Sequence, residues 1–230
     1  MKIKCKLDKL NPASFVHDYL TACGIENVDA YINAGDMDLE SPSRYTNIDA
    51  AAFQLQWAIE HDDKVGIIHD SDADGLCSAT IAYQFMAAHG ITPTMLFHSG
   101  KQHGINDLLD EIQNLDLDLL IVPDAGSSDV DACMALKSAG CDVLIADHHE
   151  IEKSNPYAIV VNCMMSNATN HDASGTTVMA KVVERCCELY GYERMDFNDL
   201  IALSLIADSR SMLSVENRAY LNLGFGGASR

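Results

Sequence analysis

The stretch VGIIHDSDADGLCSA, residues 65–79, decides the fold. Its apolar run stops abruptly at Asp70, Asp72 and Asp74, and Gly75 then leads into small and apolar residues. This pattern predicts a strand, a tight acidic turn and a helix start. Asp and Gly are ordinary turn residues, so one such turn alone has a plain reading. Three carboxylates within five residues nevertheless repel one another unless positive charge sits among them. A helix N-terminus offers only about half a charge. A divalent ion offers far more, and hard oxygen ligands suit Mg, Mn or Ca.

Two further stretches repeat the pattern. LLIVPDAG, residues 119–126, is an apolar run stopping at Asp124, and VLIADHHE, residues 143–150, stops at Asp147, His148 and His149. Helix-like segments separate these runs, so the strands should be parallel. In a parallel open sheet all carboxyl ends of strands lie on one edge, where ligands bind. That topology would gather Asp70, Asp72, Asp74, Asp124, Asp147, His148 and His149 from three separate turns.

Outward from these strands the chain is helical first. Residues 11–22 read as a helix with Asn11 as cap and Pro12 at its first position. Residues 27–34 form a second helix, 36–45 a polar loop, and 47–60 a third helix with Ile48, Ala52, Leu55 and Ile59 on one stripe. Residues 1–62 are thus a helical lead-in packed on a core domain of residues 63–230. In that domain strands at 64–69, 92–97, 118–122, 142–146 and 158–161 alternate with helices at 76–89, 105–114 and 129–138. The expected fold class is α/β, a doubly wound, mostly parallel five-stranded sheet with flanking helices. Helices at 174–190, 197–208 and 215–223 follow. Asp208 closes the second of these, where the helix dipole favours a cation. A buried acid there calls for a compensating partner such as a metal; an exposed one would only mark a frayed end.

At 230 residues the chain suits one large domain, or one domain with a small lobe, and 48% hydrophobic content excludes a disordered chain. No apolar run approaches the length of a membrane helix, and MKIKCKLDKLNP lacks the apolar segment of a secretory signal. The expectation is a cytoplasmic protein with no membrane contact. Eight cysteines without CxxC spacing read as free thiols in a reducing compartment rather than a zinc site. The formal net charge is −19, and two divalent ions would leave −15. Such a chain has no broad basic groove for tracking a long nucleic acid by counterion release. Either the substrate is short, or its grip comes from metals and from parts outside this chain.

Taken in order, Asp70-Ser71-Asp72-Ala73-Asp74-Gly75, Pro123-Asp124-Ala125-Gly126 and Asp147-His148-His149 resemble the successive signatures of the DHH phosphoesterases. Within that superfamily the match is to the RecJ-like branch of single-stranded-DNA-specific exonucleases. Ser174-Gly175-Thr176 resembles its Ser-Gly-x-Gly turn. Ile206-Ala207-Asp208 and Glu216-Asn217-Arg218 resemble its Ala-Asp and Glu-Asn-Arg elements, and Lys101-Gln102-His103-Gly104 falls where an Arg-x-x-Gly loop is common. Three features depart from the pattern. Lys101 offers a point charge instead of a bidentate fork. Thr177 replaces the second glycine of the turn. No C-terminal DHH-associated substrate-binding domain, rich in glycine and histidine, follows, so the chain is either a catalytic lobe or a minimal member.

The resemblance implies two-metal hydrolysis of a phosphoester. Asp70 and Asp72 would hold one ion, Asp74, His148 and Asp208 the other, with Asp124 bridging. A histidine among the oxygens favours Mn2+, with Mg2+ as the alternative. Asp147 would orient a histidine ring, and His149 would be a hydrogen-bond donor or general acid. Asp124, Asp147 and His149 thus form the catalytic group. Lys101, His103, Arg218 and the helix start Ser174, Gly175 and Thr176 would take phosphate. Each has a plainer reading as well: an exposed lysine, a structural histidine, an ion pair to Glu216, an N-cap.

By resemblance the substrate is single-stranded DNA, shortened from its 5′ end. Hydrolysis of short oligonucleotides or cyclic dinucleotides is the second reading, and the acidic surface favours it. A non-catalytic replication or repair scaffold is the third; against it, every expected ligand position is filled. A C-terminal domain or a protein partner outside this chain would supply the remaining grip.

Overall fold

The protein is represented by a computed structural model that describes residues 12–98 and 103–226; Asn11 and Lys101 lie outside the described residues. Five strands, β1 (Val65–His69), β2 (Thr94–Phe97), β3 (Leu119–Pro123), β4 (Asp142–Asp147) and β5 (Ile159–Asn162), form one sheet in the order β2-β1-β3-β4-β5. Every neighbouring pair is parallel, so the sheet is parallel throughout rather than mostly. The chain runs from β1 outward to β2 and then crosses back to β3. β1 and β3 therefore flank the point where strand order reverses, and their carboxyl ends open a crevice there.

Side chains alternate across the strands with period two. Ile67, Leu119, Ile121, Leu144, Ala146 and Val161 enter one core layer. That layer is closed by α3 (Ile48–His61), α4 (Ala73–Ala88), α7 (Gly175–Tyr190) and α8 (Asn198–Ala207). Ile68, Leu120, Val122, Val143, Ile145 and Val160 face the other layer, under α5 (Leu109–Gln113) and α6 (Val130–Ser138). Strands buried on both faces explain the unbroken apolar runs in the sequence.

Several boundaries differ from the periodicity: the first helix starts at Phe15 rather than Pro12, β2 starts at Thr94 rather than Thr92, and the last helix runs to Gly226. α4 begins three residues before position 76 because Asp72 caps it, accepting the Gly75 N–H at 2.8 Å. Asp74 and Gly75 therefore sit inside the first helical turn. A Cβ on Gly75 would fall 2.5 Å from Asp70 Cβ and 2.8 Å from its Cα, so this close approach of helix to strand end requires glycine. Residues 105–114 open with a 3-10 turn, Asn106–Leu108, before α5.

In the lead-in, α1 (Phe15–Ala22) and α2 (Val28–Ile32) precede two 3-10 turns, Asp36–Asp38 and Pro42–Arg44, in the segment read as loop. α3 contributes Ile48, Ala51, Ala52, Leu55 and Ala58 to the first core layer. α2 meets α9 (Val215–Gly226): Asn222 Nδ2 donates to the carbonyls of Ile32 and Ala34 at 3.0 and 2.9 Å. Nearby, Lys181 of α7 is fully buried. Its ammonium lies 2.9 Å from Glu216 Oε1, donates to the Glu40 carbonyl, and sits over the Tyr220 ring at 5.6 Å. Glu216 also accepts from Glu40 N–H and Asn170 Nδ2, each at 2.9 Å. No described helix is long and apolar enough to cross a membrane.

Candidate active site

The strand ends meet as the topology requires. Asp124 directly follows β3, and its N–H donates to the Ala146 carbonyl of β4 at 2.8 Å. Asp70, Asp74, Asp124, Asp147 and His148 are all buried, Asp208 is half-buried, and Asp72 and His149 are exposed. Three sets of side chains place their ligand atoms within 4.8 Å of one another: Asp70, Asp72 and Asp124; Asp74, His148 and Asp208; and Asp124, His148 and His149. The first two sets bring together the residues that the resemblance assigns to each ion. Asp124 is joined to the second through His148, whose Nε2 lies 3.1 Å from Asp124 Oδ1, 3.7 Å from Asp74 Oδ2 and 3.8 Å from Asp208 Oδ2.

These residues fit divalent metal on their own electrostatics. Asp124 Oδ1 and Asp208 Oδ2 are buried with no hydrogen-bond partner, which is costly for a carboxylate unless a cation compensates it. Burial first, then Asp74, Asp72 and Asp147, push the Asp124 carboxyl up to about 11. Burial, then Asp74, also raises Asp208, against His148 and Arg210. His148 is lowered, chiefly by burial and then by the charge of His149, which favours the neutral ring a metal needs.

Asp147 orients His149. Its Oδ1 accepts His149 Nδ1 at 2.8 Å and the N–H groups of His148 and His149 at 2.7 and 3.1 Å, while Oδ2 accepts the Ser127 N–H at 3.2 Å. Burial alone would raise the Asp147 carboxyl. The His149 bond and charge overcome it and hold Asp147 well below the usual carboxylate range. In return His149 is raised, first by its bond to Asp147, against burial.

The predicted phosphate groups fare differently. The N–H groups of Gly175 and Thr176 both donate to Asp74, at 2.8 Å each, and Thr176 Oγ1 adds a third bond at 2.6 Å. Ser174 Oγ caps Thr177 N–H and contacts Ser204. The α7 start therefore holds a protein carboxylate where the sequence pattern suggests a phosphate. The cause is the early start of α4, which aims Asp74 along that helix end. Arg218 lays its guanidinium over the Tyr31 ring at 5.6 Å and makes no ion pair with the cluster among the described residues. Glu216 and Asn217 take the inward positions of α9, leaving the next residue turned toward α2. His103 Nδ1 bonds Asp70 Oδ2, so His103 steadies an acid of the cluster. His103 also lines, with Gly104, Ser127, Ser128, Asp129 and His149, a cavity of about 430 Å³ beside the cluster.

Two residues escape the sequence pattern. Asn162, fully buried at the end of β5, donates to the His149 carbonyl and to Ser127 Oγ, each at 3.0 Å. A polar residue closing a fifth apolar strand is its signal. Arg210 approaches Asp208 at 3.8 Å, and nothing in its sequence neighbourhood marks it. Gly175 also serves the cluster in a second way, because a Cβ there would lie 2.6 Å from Asp124 Cβ and 2.7 Å from its Cα. Gly175→Ala should therefore cost about 1–3 kcal/mol by overpacking, less the roughly 0.5–1 kcal/mol a helical alanine returns. It should lower activity further by displacing Asp124. Urea melts and rates check this, and wild-type values in both would refute it.

The sequence matches the model of the DHH family, N-terminal domain, over residues 64–207. A prophage-derived protein of Bacillus subtilis, named provisionally as a single-strand DNA-specific exonuclease, is 34% identical over 207 residues, covering 87% of this chain and 35% of the relative. The single-stranded-DNA-specific exonuclease RecJ of Bacillus subtilis is 25% identical over 232 residues, covering 97% of this chain and 29% of the relative. The chain thus spans about a third of the length of these curated relatives. The crystal structure of RecJ from Thermus thermophilus in complex with Mn2+ superposes with a TM-score of 0.70 at 23% identity, over 79% of this chain and 27% of that one. At that identity the likeness shows the fold. The chain belongs to the DHH family, on its RecJ-like branch.

Proposed function

We propose that this chain hydrolyses phosphodiester bonds of single-stranded DNA from the 5′ end, with two divalent ions, Mn2+ preferred over Mg2+. The observation that carries the reading is the pair of ligand triads linked through Asp124 and His148. Asp70 and Asp72 would hold one ion, Asp74, His148 and Asp208 the other, with Asp124 between. Such ions lower the pKa of water and polarise a phosphoryl oxygen. Asp74 keeps its place through the α7 N–H groups, and Asp147 and Asn162 hold His149 from side chain and carbonyl. The bond to Asp147 raises His149 and so favours its protonated ring, which would donate to the phosphate or the leaving oxygen.

Hydrolysis of short oligonucleotides or cyclic dinucleotides is the second reading, favoured by the −19 charge. Further grip on a longer strand would come from a C-terminal domain or a partner. Cys77, Cys133, Cys141, Cys163, Cys186 and Cys187 are free thiols, which fits a reducing compartment such as the cytoplasm.

A cleavage assay with Mn2+ and a chelator control tests the reading, comparing a 5′-labelled DNA oligomer, the same RNA, a dinucleotide and a cyclic dinucleotide. Stepwise loss from the DNA 5′ end supports it. Cleavage of the short substrates alone promotes the second reading, and metal binding without cleavage of any substrate returns the scaffold reading. His149→Asn should lower turnover about 10²–10⁴-fold. The wild-type rate should fall on an alkaline limb lying above about pH 6.5, where the raised His149 loses its proton. A limb unchanged in the variant would remove His149 from the acid role.

A further inference from the structure

We propose that Arg210 is a substrate-contacting residue, its Nη1 donating to a phosphate oxygen beside Asp208. The proposal rests on reading the cluster as a phosphoester-hydrolysing centre. α8 ends in a Schellman arrangement: Ser209 N–H donates to the Ile206 carbonyl at 3.1 Å and Arg210 N–H to the Leu205 carbonyl at 3.0 Å. Ser209 takes the left-handed position, φ 53°, that glycine ordinarily fills. An L-residue is held there at a cost of about 1–2 kcal/mol. The next residue commonly packs an apolar side chain back onto the helix. Here it is an arginine, and its side chain turns to the loop before α7 instead.

Two of its three nitrogens are committed. Nε donates to the Asp172 carbonyl at 3.2 Å and Nη2 to the His171 carbonyl at 3.3 Å. These bonds aim the planar fork and leave Nη1 3.8 Å from Asp208 Oδ2, beyond hydrogen-bond reach. Among the described residues Arg210 is the one arginine or lysine in ionic contact with the six-carboxylate cluster. Two divalent ions would leave that cluster two negative charges in excess, and a phosphodiester adds another. A guanidinium with an uncommitted N–H pair at the rim answers that excess and suits phosphate oxygens. A lysine would supply the charge without the two carbonyl bonds that aim it.

The test uses the full chain loaded with Mn2+, titrated calorimetrically with inorganic phosphate and with thymidine 5′-monophosphate. Arg210→Gln should weaken both anions about tenfold or more, since a bond to a charged group contributes about 1.5–3 kcal/mol. Affinity for Mn2+, titrated separately, should stay within about twofold. Arg210→Lys should fall between wild type and the glutamine variant. Unchanged anion affinity overturns the proposal. So does a parallel loss of Mn2+ affinity, which would make Arg210 a positioning residue for Asp208. If the glutamine variant fails to fold, the lysine variant decides: weaker anion binding with Mn2+ retained supports the contact, and wild-type binding overturns it. Anion binding that depends on Arg210 in a chain cleaving no phosphodiester would sink the hydrolytic reading and leave the contact standing. Cleavage indifferent to Arg210 would do the reverse.

Discussion

Asp124→Asn is expected to remove activity and, in chelator, to stabilise the protein. The loss should exceed the roughly 10–100-fold that outer-sphere partners of a metal cost, because Asp124 joins the two triads. The gain follows from proton linkage. The folded Asp124 carboxyl is raised to about 11, whereas an unfolded Asp titrates near 3.9. The folded state therefore binds the extra proton, and metal-free stability should fall as pH rises between about 4 and about 11, by up to about 1.4 kcal/mol per unit. Asparagine carries no such proton and should flatten that slope. Thermal melts of both proteins in chelator from pH 5 to 9 read it directly. Equal slopes would show that Asp124 is not the stressed group. Mn2+ should restore the wild type and release protons on binding.

Lys181→Ala should be the most damaging substitution outside the cluster. Lys181 and Glu216 are both buried, and removing the ammonium strands the carboxylate and the Glu40 carbonyl. Breaking such a pair from one side costs about 3–5 kcal/mol, or a melting shift on the order of 10 °C for a domain of this size. Lys181→Met combined with Glu216→Gln removes both charges at similar volume and should recover most of that loss. A single variant within about 1 kcal/mol of wild type would show that water reaches the pair. Because Glu40 lies in the lead-in, Lys181 on α7 and Glu216 on α9, the same variant should loosen all three together.

What the sequence shows of this molecule is what depends on period and topology. Unbroken apolar runs ending in acids named three of the five strands and the edge where Asp70, Asp124 and Asp147 meet. What it hides depends on exact helix phase. Asp72 as a cap moved α4 back by one turn and turned Asp74 into the partner of Gly175 and Thr176, so a helix end that reads as a phosphate cradle is already filled. Arg218 belongs to a motif that reads as phosphate-binding, yet one step around α9 sets it on Tyr31. Arg210 becomes visible only once Ser209 is seen in a left-handed conformation that no glycine announces. The Lys181 knot joins residues 40, 181 and 216, and no local pattern links positions so far apart.

The bonds that α7 makes to Asp74 also predict how this scaffold would decay. A descendant that gave up metal chemistry would be free to change Asp124 and Asp208, whose unpartnered oxygens weigh against folding. Asp72 could become serine or asparagine and still cap α4. Asp74 could not follow, because two backbone N–H groups and a threonine hydroxyl would lose their acceptor inside the core. A lone aspartate at this position, in a relative stripped of the other acids, would be a fossil of architecture and not of catalysis.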